Sequence, residues 1–495
     1  MYSLGYDIGS SSIKCAILDC ATGVTIAHGS YPSEEMPIHS PKPGWAEQDP
    51  EQWWAFVVTL TRQLVKEKNI DTSAIKAIGI SYQMHGLVLV DAKQHVLRPS
   101  IIWCDSRAVE IGRKAFATLG QEFCLRHLLN SPGNFTASKL RWVQENEPEV
   151  YRKIHKAMLP GEFIAMKLSG EITTTASGLS EGIYWDFEKN GVSSALLDHY
   201  GIDGRLLPEI RPTFGSQGRL THAAAEQLGL QPGTVVAYRA GDQPNNALSL
   251  NVLNPGEAAA TAGTSGVVYG VIDKVAYDPN SRVNPFAHVN HAADRPRLGV
   301  LLCINGTGIL NSWLRRNIAG SMSYTDMNQA AAGVSVGSDG VSILPFGNGA
   351  ERILDNNEIG CQIDGIDFNR HTRAHLFRSA QEGIAFSFRY GIDIMKGMGL
   401  ALRVIRAGNS NMFLSPIFRQ TLANITNATI ELYGTDGAQG AARGAAIGAG
   451  IFAAPEDAFV SLRKIESVIP SAKDREITLS AYNRWLALLQ RNDQR

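Results

Sequence analysis

The chain has 495 residues, of which 44% are hydrophobic and 19% are charged, and its net charge is -1. This length exceeds one ordinary hydrophobic core and predicts at least two domains, while the composition excludes a disordered or fibrous chain. The balanced charge gives no overall positive field, so neither nucleic acid nor an anionic membrane surface is an expected partner.

The six cysteines, at positions 15, 20, 104, 124, 303 and 361, include no C-x-x-C pair. They are too few for a disulfide scaffold and predict buried thiols in a reducing compartment. The N-terminal residues lack a basic segment followed by an apolar one, and no apolar run reaches the ~20 residues needed to cross a bilayer. These features together predict a cytoplasmic protein without a signal peptide.

The first thirty residues predict three strands, at 2–8, 13–18 and 24–28, joined by tight turns. The first turn contains Asp7 and then Gly9-Ser10-Ser11. Glycine allows a ligand to approach the backbone, and successive N–H groups with hydroxyls can hold phosphate oxygens. Asp7 could hold Mg²⁺ through water, because Mg²⁺ keeps several waters and takes few carboxylates. An ordinary Gly-Ser hairpin turn is the alternative interpretation.

An amphipathic helix is predicted at 51–68 from the spacing of its apolar residues, and a buried strand at 75–81 follows it. Polar His85 lies just past that strand, beside a glycine, where it could recognise sugar hydroxyls. The alternative for a single histidine is a structural hydrogen bond. Asp105 follows the next strand end in the same way, and its alternative is a local turn pair with Arg107.

The stretch on which the functional hypothesis depends follows the apolar strand 234–238. Gly241 ends the strand, Asp242 and Gln243 follow, and a helix-compatible run begins at 246. An acid at the end of a strand, held on a glycine turn, is well placed to face a cleft. Asp242 is therefore a candidate general base. The alternative is that Asp242 caps the following helix.

A second hydroxyl-rich turn, Gly263-Thr264-Ser265-Gly266, also joins two predicted strands and repeats the arrangement of residues 2–18. Two such turns half a chain apart suggest two related half-domains facing one nucleotide. A helix rich in alanine and glycine is predicted at 441–454, either as a packed core helix or as a surface against an adenine ring. The chain contains neither a P-loop motif nor a dinucleotide-binding or zinc motif.

Six motifs in this order resemble the FGGY family of carbohydrate kinases over essentially the whole chain. They are Asp7-Ile8-Gly9-Ser10-Ser11, Tyr82-Gln83-Met84-His85-Gly86, Trp103-Cys104-Asp105-Ser106-Arg107, Gly241-Asp242-Gln243, Gly263-Thr264-Ser265-Gly266, and Leu344-Pro345-Phe346 before Glu351-Arg352. The second motif, with the Leu-Val-Leu-Val-Asp that follows it, is most similar to family members that act on xylulose.

The resemblance implies an α/β fold of two ribonuclease H-like (actin-like ATPase) domains flanking a deep catalytic cleft. It implies a sugar-binding domain over 1–240 and a nucleotide-binding domain over 241–495, with the last helix, about 470–495, packing on either of them. The implied reaction is transfer of the γ-phosphate of ATP, with Mg²⁺, to the C5 hydroxyl of D-xylulose. Another ketose or a polyol (ribulose, lyxulose or glycerol) is the alternative substrate, and a non-catalytic actin-like nucleotide-binding protein is the alternative class.

The residues at the family's functional positions follow from the same resemblance. Asp242 is the implied catalytic base, and Asp7 the implied metal-associated acid. The implied sugar contacts are Met84, His85, Trp103, Asp105, Asp242 and Gln243. The implied nucleotide contacts are Gly9, Ser10, Ser11, Gly263, Thr264 and Gly266, with Gly408 and Asn411 added where residues 406–416 depart from the family's usual Gly-Gly-Gly run. Dimers occur in the family, which leaves a homodimer as an open expectation.

Overall fold

The computed structural model describes residues 1–493, and the chain divides into two compact units. Unit 1 comprises Met1–Leu253, Phe286–Leu298 and Thr435–Leu462; unit 2 comprises Asn254–Pro285, Gly299–Gly434 and the chain from Arg463 onward. This division differs from the predicted boundary between 240 and 241. The segments just after that boundary and after Gly434 belong to unit 1 because their helices pack on its sheet.

The strands of unit 1 are β1 (Tyr2–Ile8), β2 (Ile13–Asp19), β3 (Thr25–Tyr31), β4 (Glu47–Gln48), β5 (Ile75–Tyr82), β6 (Val88–Val90), β7 (Ser100–Ile101), β8 (Lys156–Met158), β9 (Thr173–Thr174), β10 (Trp185–Asp186), β11 (Gly191–Val192), β12 (Glu209–Ile210) and β13 (Val235–Gly241). Its helices are α1 (Pro50–Glu67), α2 (Val109–Leu119), α3 (Gln121–Phe123), α4 (Thr136–Asn146), α5 (Pro148–Tyr151), α6 (Pro160–Ser169), α7 (Ala176–Glu181), α8 (Ser194–Tyr200), α9 (His222–Leu228), α10 (Asp242–Ser249) and α15 (Gly437–Gly448).

The strands of unit 2 are β14 (Glu257–Ala262), β15 (Gly266–Ile272), β17 (Leu298–Ile304), β18 (Ser342–Phe346), β19 (Gly360–Asp364), β20 (Val404–Gly408), β21 (Thr429–Tyr433) and β22 (Lys464–Val468); β16 (Asn284–Ala287) spans a point where the chain passes between units. The helices are α11 (Gly308–Asn317), α12 (Tyr324–Ala332), α13 (Arg373–Gly397), α14 (Pro416–Thr426) and α16 (Ala472–Asp493). Short helical turns lie at Thr72–Ala74, Cys124–Leu128, Gly204–Leu206, Ser338–Gly340, Glu351–Leu354, Asn411–Leu414 and Pro455–Phe459.

The two main sheets share one topology. The sheet of unit 1 has the order β13-β5-β1-β2-β3, and β1 is antiparallel to β2 but parallel to β5. In unit 2 the corresponding order is β21-β20-β14-β15-β17, with β22 added beyond β21 and β16 beyond β17, and β14 is antiparallel to β15 but parallel to β20. This repeated α/β arrangement agrees with the predicted ribonuclease H-like fold, and both hydroxyl-rich turns join the first two strands of a sheet.

One face of the first sheet packs against α1, as the apolar spacing predicts. Asp49 accepts a bond from the backbone N–H of Glu51, and Pro50 begins the helix, so both residues favour a start at this point. The helix buries Trp53, Val57, Leu60 and Leu64 among other apolar side chains against the sheet, including those of β1. Fully burying one such large apolar side chain is worth about 1.5–3 kcal/mol.

The helix α15 packs on β1, β5, β13 and β2, which confirms the core-helix alternative. A methyl group at Gly5 would overlap the carbonyl of Ala438, and one at Gly79 would overlap that of Ala441. The small residues therefore serve a close approach of helix to sheet, and no room for a nucleobase remains along that face. The helix ends at Gly448, six residues before the predicted end.

The structure also bears on the predictions for the cysteines, for the last helix and for membrane-spanning segments. Cys15, Cys20 and Cys124 are buried as predicted, Cys303 is half-buried, and Cys104 and Cys361 are exposed because they lie in a turn and on an edge strand. The helix α16 belongs to unit 2, where it packs against α14 and β18. Among residues 1–493, no helix combines the length and the apolar character that crossing a membrane requires.

Candidate active site

Three neighbouring strands of unit 1 end together and place the predicted acids side by side. In the parallel register, Asp7 of β1 lies opposite Ser81 of β5, and Ser81 lies opposite Ala240 of β13. Asp242 follows two residues later. The carboxyl ends of parallel strands meet at one edge of a sheet, which is where ligands bind in open α/β sheets.

Asp242 is the first residue of α10, and Gly241 before it is the N-cap, without a side-chain capping bond. The capping alternative is therefore wrong in its simple form. Burial, and then the nearby Asp7 carboxylate, raise the pKa of Asp242 to about 7, while bonds from Gln243 and the charge of Lys14 oppose the rise. A carboxylate with a pKa near neutrality is well matched to accepting a proton from an alcohol.

Asp7 is held from two sides in the same cluster. Its Oδ1 accepts a bond of 2.8 Å from the Ser81 hydroxyl, and its Oδ2 lies 3.8 Å from Lys14 Nζ. Burial raises the pKa of Asp7, whereas Lys14 and Ser81 lower it. Within the described residues, no group of three or more His, Cys, Asp or Glu side chains could hold a metal. The single carboxylate of Asp7 fits Mg²⁺ that keeps most of its waters.

Met84 and His85 lie in the turn after β5, next to the end of β13. Met84 is buried and packs directly against Gly241. His85 has a φ of 61°, a left-handed conformation that is uncommon outside glycine. Its ring contacts Phe135 and Phe286, with centroid distances of 4.8 and 5.5 Å. The structure thus brings the predicted sugar residues of this turn to the backbone that leads into Asp242.

Trp103 and Asp105 have different roles. The Trp103 side chain is 53% exposed, and its indole N–H donates to the Ser10 hydroxyl at 3.3 Å, so it borders the first turn. Asp105 is fully buried; Ala46 N–H donates to its carboxylate at 2.6 Å, and Arg107 binds both of its oxygens. The predicted direct sugar contact of Asp105 is therefore corrected, because the local turn pair with Arg107 and the bond from Ala46 already engage its carboxylate.

The first turn, Gly9-Ser10-Ser11, is fixed through its backbone. Gly9 N–H donates to the carbonyl of Ser12, the Ser11 carbonyl accepts from Met36 N–H at 2.8 Å, and the Ser10 carbonyl accepts from the Gln48 amide at 2.7 Å. The Ser11 side chain is exposed and that of Ser10 is half-buried. A rigid turn with hydroxyls at its surface is the geometry that phosphate contact requires.

Four buried side chains near this site were not predicted: Tyr82, Lys139, Glu181 and Arg239. Glu181 Oε1 accepts the His85 backbone N–H at 3.2 Å, and burial raises the pKa of Glu181 well above its usual range. Lys139 occupies a position on the buried side of its helix, where a charged residue is unusual without a partner. A charged residue at a position that the helical pattern places on the buried side was the only signal in the sequence that could have identified Lys139.

Unit 2 contains a cavity of about 570 Å³ at the second hydroxyl-rich turn. Gly263, Thr264 and Asn411, all predicted nucleotide contacts, line it, and α11 begins beside it. The N–H groups of Gly308 and Ile309 donate to the carbonyls of Gly263 and Thr264 at 2.8 and 3.2 Å, which fixes this turn to the helix N-terminus. These N–H groups are thus engaged by the turn, and the macrodipole of α11 still favours an anionic phosphate near this end of the helix.

Two predicted nucleotide residues do not line the cavity. Gly266 begins β15 and packs against Phe388 and Thr307, where its lack of a side chain is needed for packing. Gly408 ends β20 and lies outside the cavity lining. The polar residues of the cavity that sequence reasoning missed come mainly from α11 and α12 and include Asn311, Ser312, Arg316, Tyr324 and Asn328.

Comparisons with known proteins agree with this geometry. The family model for the N-terminal domain of the FGGY family of carbohydrate kinases matches residues 2–249, and that for the C-terminal domain matches residues 258–453. The chain is 30% identical to the xylulose kinase of Escherichia coli, over 93% of this chain and 92% of that one.

Two solved structures are similar throughout. The xylulose kinase of Rhodospirillum rubrum has a TM-score of 0.89 and 25% identity, with 100% of each chain covered. The glycerol kinase of Plasmodium falciparum, solved with ADP, has a TM-score of 0.87 and 21% identity over 99% of this chain and 98% of that one, which shows the fold alone. The family models together span most of the sequence, so the chain belongs to the FGGY family of carbohydrate kinases.

Proposed function

We propose that this ATP-dependent sugar kinase phosphorylates D-xylulose at its C5 hydroxyl, giving D-xylulose 5-phosphate and ADP, with Asp242 as the general base. The observation that carries the proposal is the Asp242 carboxyl, whose pKa of about 7 suits a base, beside the turn of Met84 and His85. The choice of D-xylulose is supported by the xylulose kinases among its relatives.

Phosphoryl transfer requires mainly positioning and charge stabilisation from the protein, and little covalent chemistry. Phosphoryl transfer to an alcohol needs an in-line hydroxyl, a group that takes its proton, and positive charge around the phosphates. Asp242 would accept the C5 hydroxyl proton on one carboxylate oxygen as the O–P bond forms and the bond to ADP breaks. Gln243 interacts with the Asp242 carboxylate and would help to orient it.

The sugar would be recognised by residues of unit 1. His85 would contact a sugar hydroxyl through its ring, which is oriented by a 2.9 Å hydrogen bond between Nδ1 and the Glu181 carbonyl. Trp103 offers a half-exposed indole face of the kind that stacks on a sugar. Met84 presses on Gly241 and so links this turn to the start of the base helix. Hydrogen bonds to buried polar groups discriminate strongly among hydroxylated substrates, because a missing hydroxyl leaves a group unpaired.

The nucleotide would be held by the two hydroxyl-rich turns and by the cavity of unit 2. Gly9, Ser10 and Ser11 of one turn and Gly263 and Thr264 of the other would contact phosphate oxygens, and Asn411 would contact the nucleoside. Asp7 would hold Mg²⁺, mainly through water. When bound, Mg²⁺ would neutralise charge on the β- and γ-phosphates.

The alternative within the family is a kinase for another ketose or a polyol, such as ribulose, lyxulose or glycerol. An ADP-release assay over D-xylulose, D-ribulose, the lyxuloses and glycerol separates these substrates. We expect the highest kcat/KM with D-xylulose. A higher value with ribulose or glycerol would overturn the choice of substrate, and turnover of none of these substrates would contradict the proposed reaction.

A further inference from the structure

Lys139 is a fully buried lysine that the phosphoryl-transfer step does not use. It lies in the first two turns of α4, among other buried residues of unit 1, and its side chain has no exposed surface. Lysine is almost never fully buried unless its ammonium group has partners, because removing it from water is costly. The partners of Lys139 therefore indicate its purpose.

The Nζ of Lys139 donates to two backbone carbonyls from separate segments. One is the carbonyl of His85, at 2.8 Å, and the other is that of Ile102, at 3.0 Å. His85 belongs to the turn after β5, and Ile102 immediately precedes Trp103. One side chain thus connects the two segments that supply the proposed sugar contacts.

The turn at His85 needs such support. A left-handed φ in a non-glycine residue costs free energy and persists only where surrounding contacts impose it. Glu181 holds the N–H of His85, Lys139 holds its carbonyl, and Phe135 and Phe286 pack on its ring. The peptide group on each side of the histidine is therefore fixed by a buried side chain.

We propose that Lys139 is a positioning residue for sugar recognition, which sets the distance between the His85 turn and the Trp103 segment through its two carbonyl bonds. This inference rests on the proposed function only in taking those segments as the sugar site. The bonds do not depend on the charge: burial lowers the pKa of Lys139 to about 7, and a neutral amine still has two N–H groups for two carbonyls.

The test compares Lys139→Met with Lys156→Met. Lys156 also donates its Nζ to two carbonyls, those of Arg205 and Leu207, at 2.7 and 2.9 Å, but it holds no sugar-site segment. KM for the sugar, KM for ATP and kcat are measured for each variant, using the substrate of the panel that the wild type converts best. Thermal unfolding is recorded for both variants.

We expect Lys139→Met to raise KM for the sugar at least about tenfold, because two buried carbonyls lose their donor and the segments separate. KM for ATP should stay within about twofold, since the proposed nucleoside cavity lies in unit 2 and the first hydroxyl-rich turn is fixed by its own bonds to Met36 and Gln48. Lys156→Met should leave both constants near wild type. A merely structural role would lower the unfolding temperature without separating the two KM values, and that result would overturn the proposal.

If Lys139→Met does not fold, Lys139→Gln decides the question. Its shorter amide can reach one carbonyl at most, so we expect an intermediate rise of about threefold in KM for the sugar. An unchanged KM for the sugar in folded Lys139→Gln would refute the positioning role. If the wild type prefers another sugar, the choice of D-xylulose is wrong, but the effect of Lys139→Gln can still be measured with that sugar. The two proposals can therefore be refuted independently.

Discussion

Replacing Asp242 by asparagine should lower turnover and raise stability at the same time. Asparagine keeps the shape of the side chain but cannot take a proton from the acceptor hydroxyl. Loss of a general base costs at least ~100-fold in rate, so we expect kcat to fall by that factor or more. Binding of the sugar should change little, because the contacts from Met84, His85 and Trp103 remain.

The stability gain follows from the raised pKa. The pKa of Asp242 rises from 3.8 to about 7 in the folded state. Asp242 therefore does not destabilise the fold below pH 3.8, where its carboxyl is protonated in both the folded and the unfolded state. As the pH rises, the unfolded state loses this proton first, and the free energy of unfolding falls until the pH passes about 7. Three pKa units correspond to about 4 kcal/mol at 1.36 kcal/mol per unit. The side chain is only partly buried by its surface area, and screening by water reduces the penalty to about 1–2 kcal/mol.

Thermal unfolding of the wild type and Asp242→Asn at pH 5 and pH 8 tests this reasoning. We expect the variant to unfold about 1–2 °C higher at pH 8, with a smaller difference at pH 5. Asp203→Asn is the matched control, because a bond from exposed Arg205 lowers the pKa of Asp203 to about 2 and predicts no gain at pH 8. A near-normal kcat in Asp242→Asn would refute the assignment of Asp242 as the general base. Equal unfolding temperatures of the wild type and the variant at both pH values would refute the raised pKa.

Three more predictions follow from the same geometry. The kcat/KM for the sugar should fall about tenfold per pH unit below pH 7, and Lys14→Met should move this limb to higher pH, because the ammonium of Lys14 lowers the pKa of Asp242. Asn411→Ala should raise KM for ATP several-fold without changing KM for the sugar, as steady-state kinetics would show. Gly79→Ala should destabilise the fold by about 3 kcal/mol or more in urea titration, because its methyl group meets the backbone of α15.

Each of these predictions has its own contrary result. If the acidic limb of the kcat/KM profile stays at the same pH in Lys14→Met, the ammonium of Lys14 does not lower the pKa of Asp242. Equal changes in both KM values for Asn411→Ala would place that residue outside the nucleoside site. Gly191→Ala is the control for packing, because its methyl group would meet only ordinary contacts, and equal effects of the two glycine variants would contradict the account of α15.

Local pattern was enough to predict most of the first sheet and the placement of the acids. The strands at the N-terminus, the helix after Pro50 and the strand before Asp242 alternate or run apolar in a way that fixes them locally. Because parallel strands end at one edge, Asp7 and Asp242 could be expected near each other. The order of the short motifs then limited the chemistry to sugar phosphorylation.

What could not be predicted depends on contacts between distant segments. The return of residues 435–462 to unit 1 follows from Gly5 and Gly79, whose small size allows α15 to approach the sheet, and no local pattern pairs those glycines with that helix. Asp105 looked like a sugar ligand by position, but Ala46, 59 residues earlier, donates to its carboxylate. Lys139 reaches carbonyls 54 and 37 residues before it, a distance over which periodicity carries no information.

The most direct test of the central claim is the identity of the phosphorylated product. The enzyme is incubated with D-xylulose labelled with ¹³C at C5, ATP and Mg²⁺, and the product is examined by ¹³C and ³¹P NMR. We predict a single phosphate ester whose phosphorus couples to the labelled C5 carbon. A phosphate at C1, or consumption of ATP without any phosphorylated ketose, would contradict the proposed reaction.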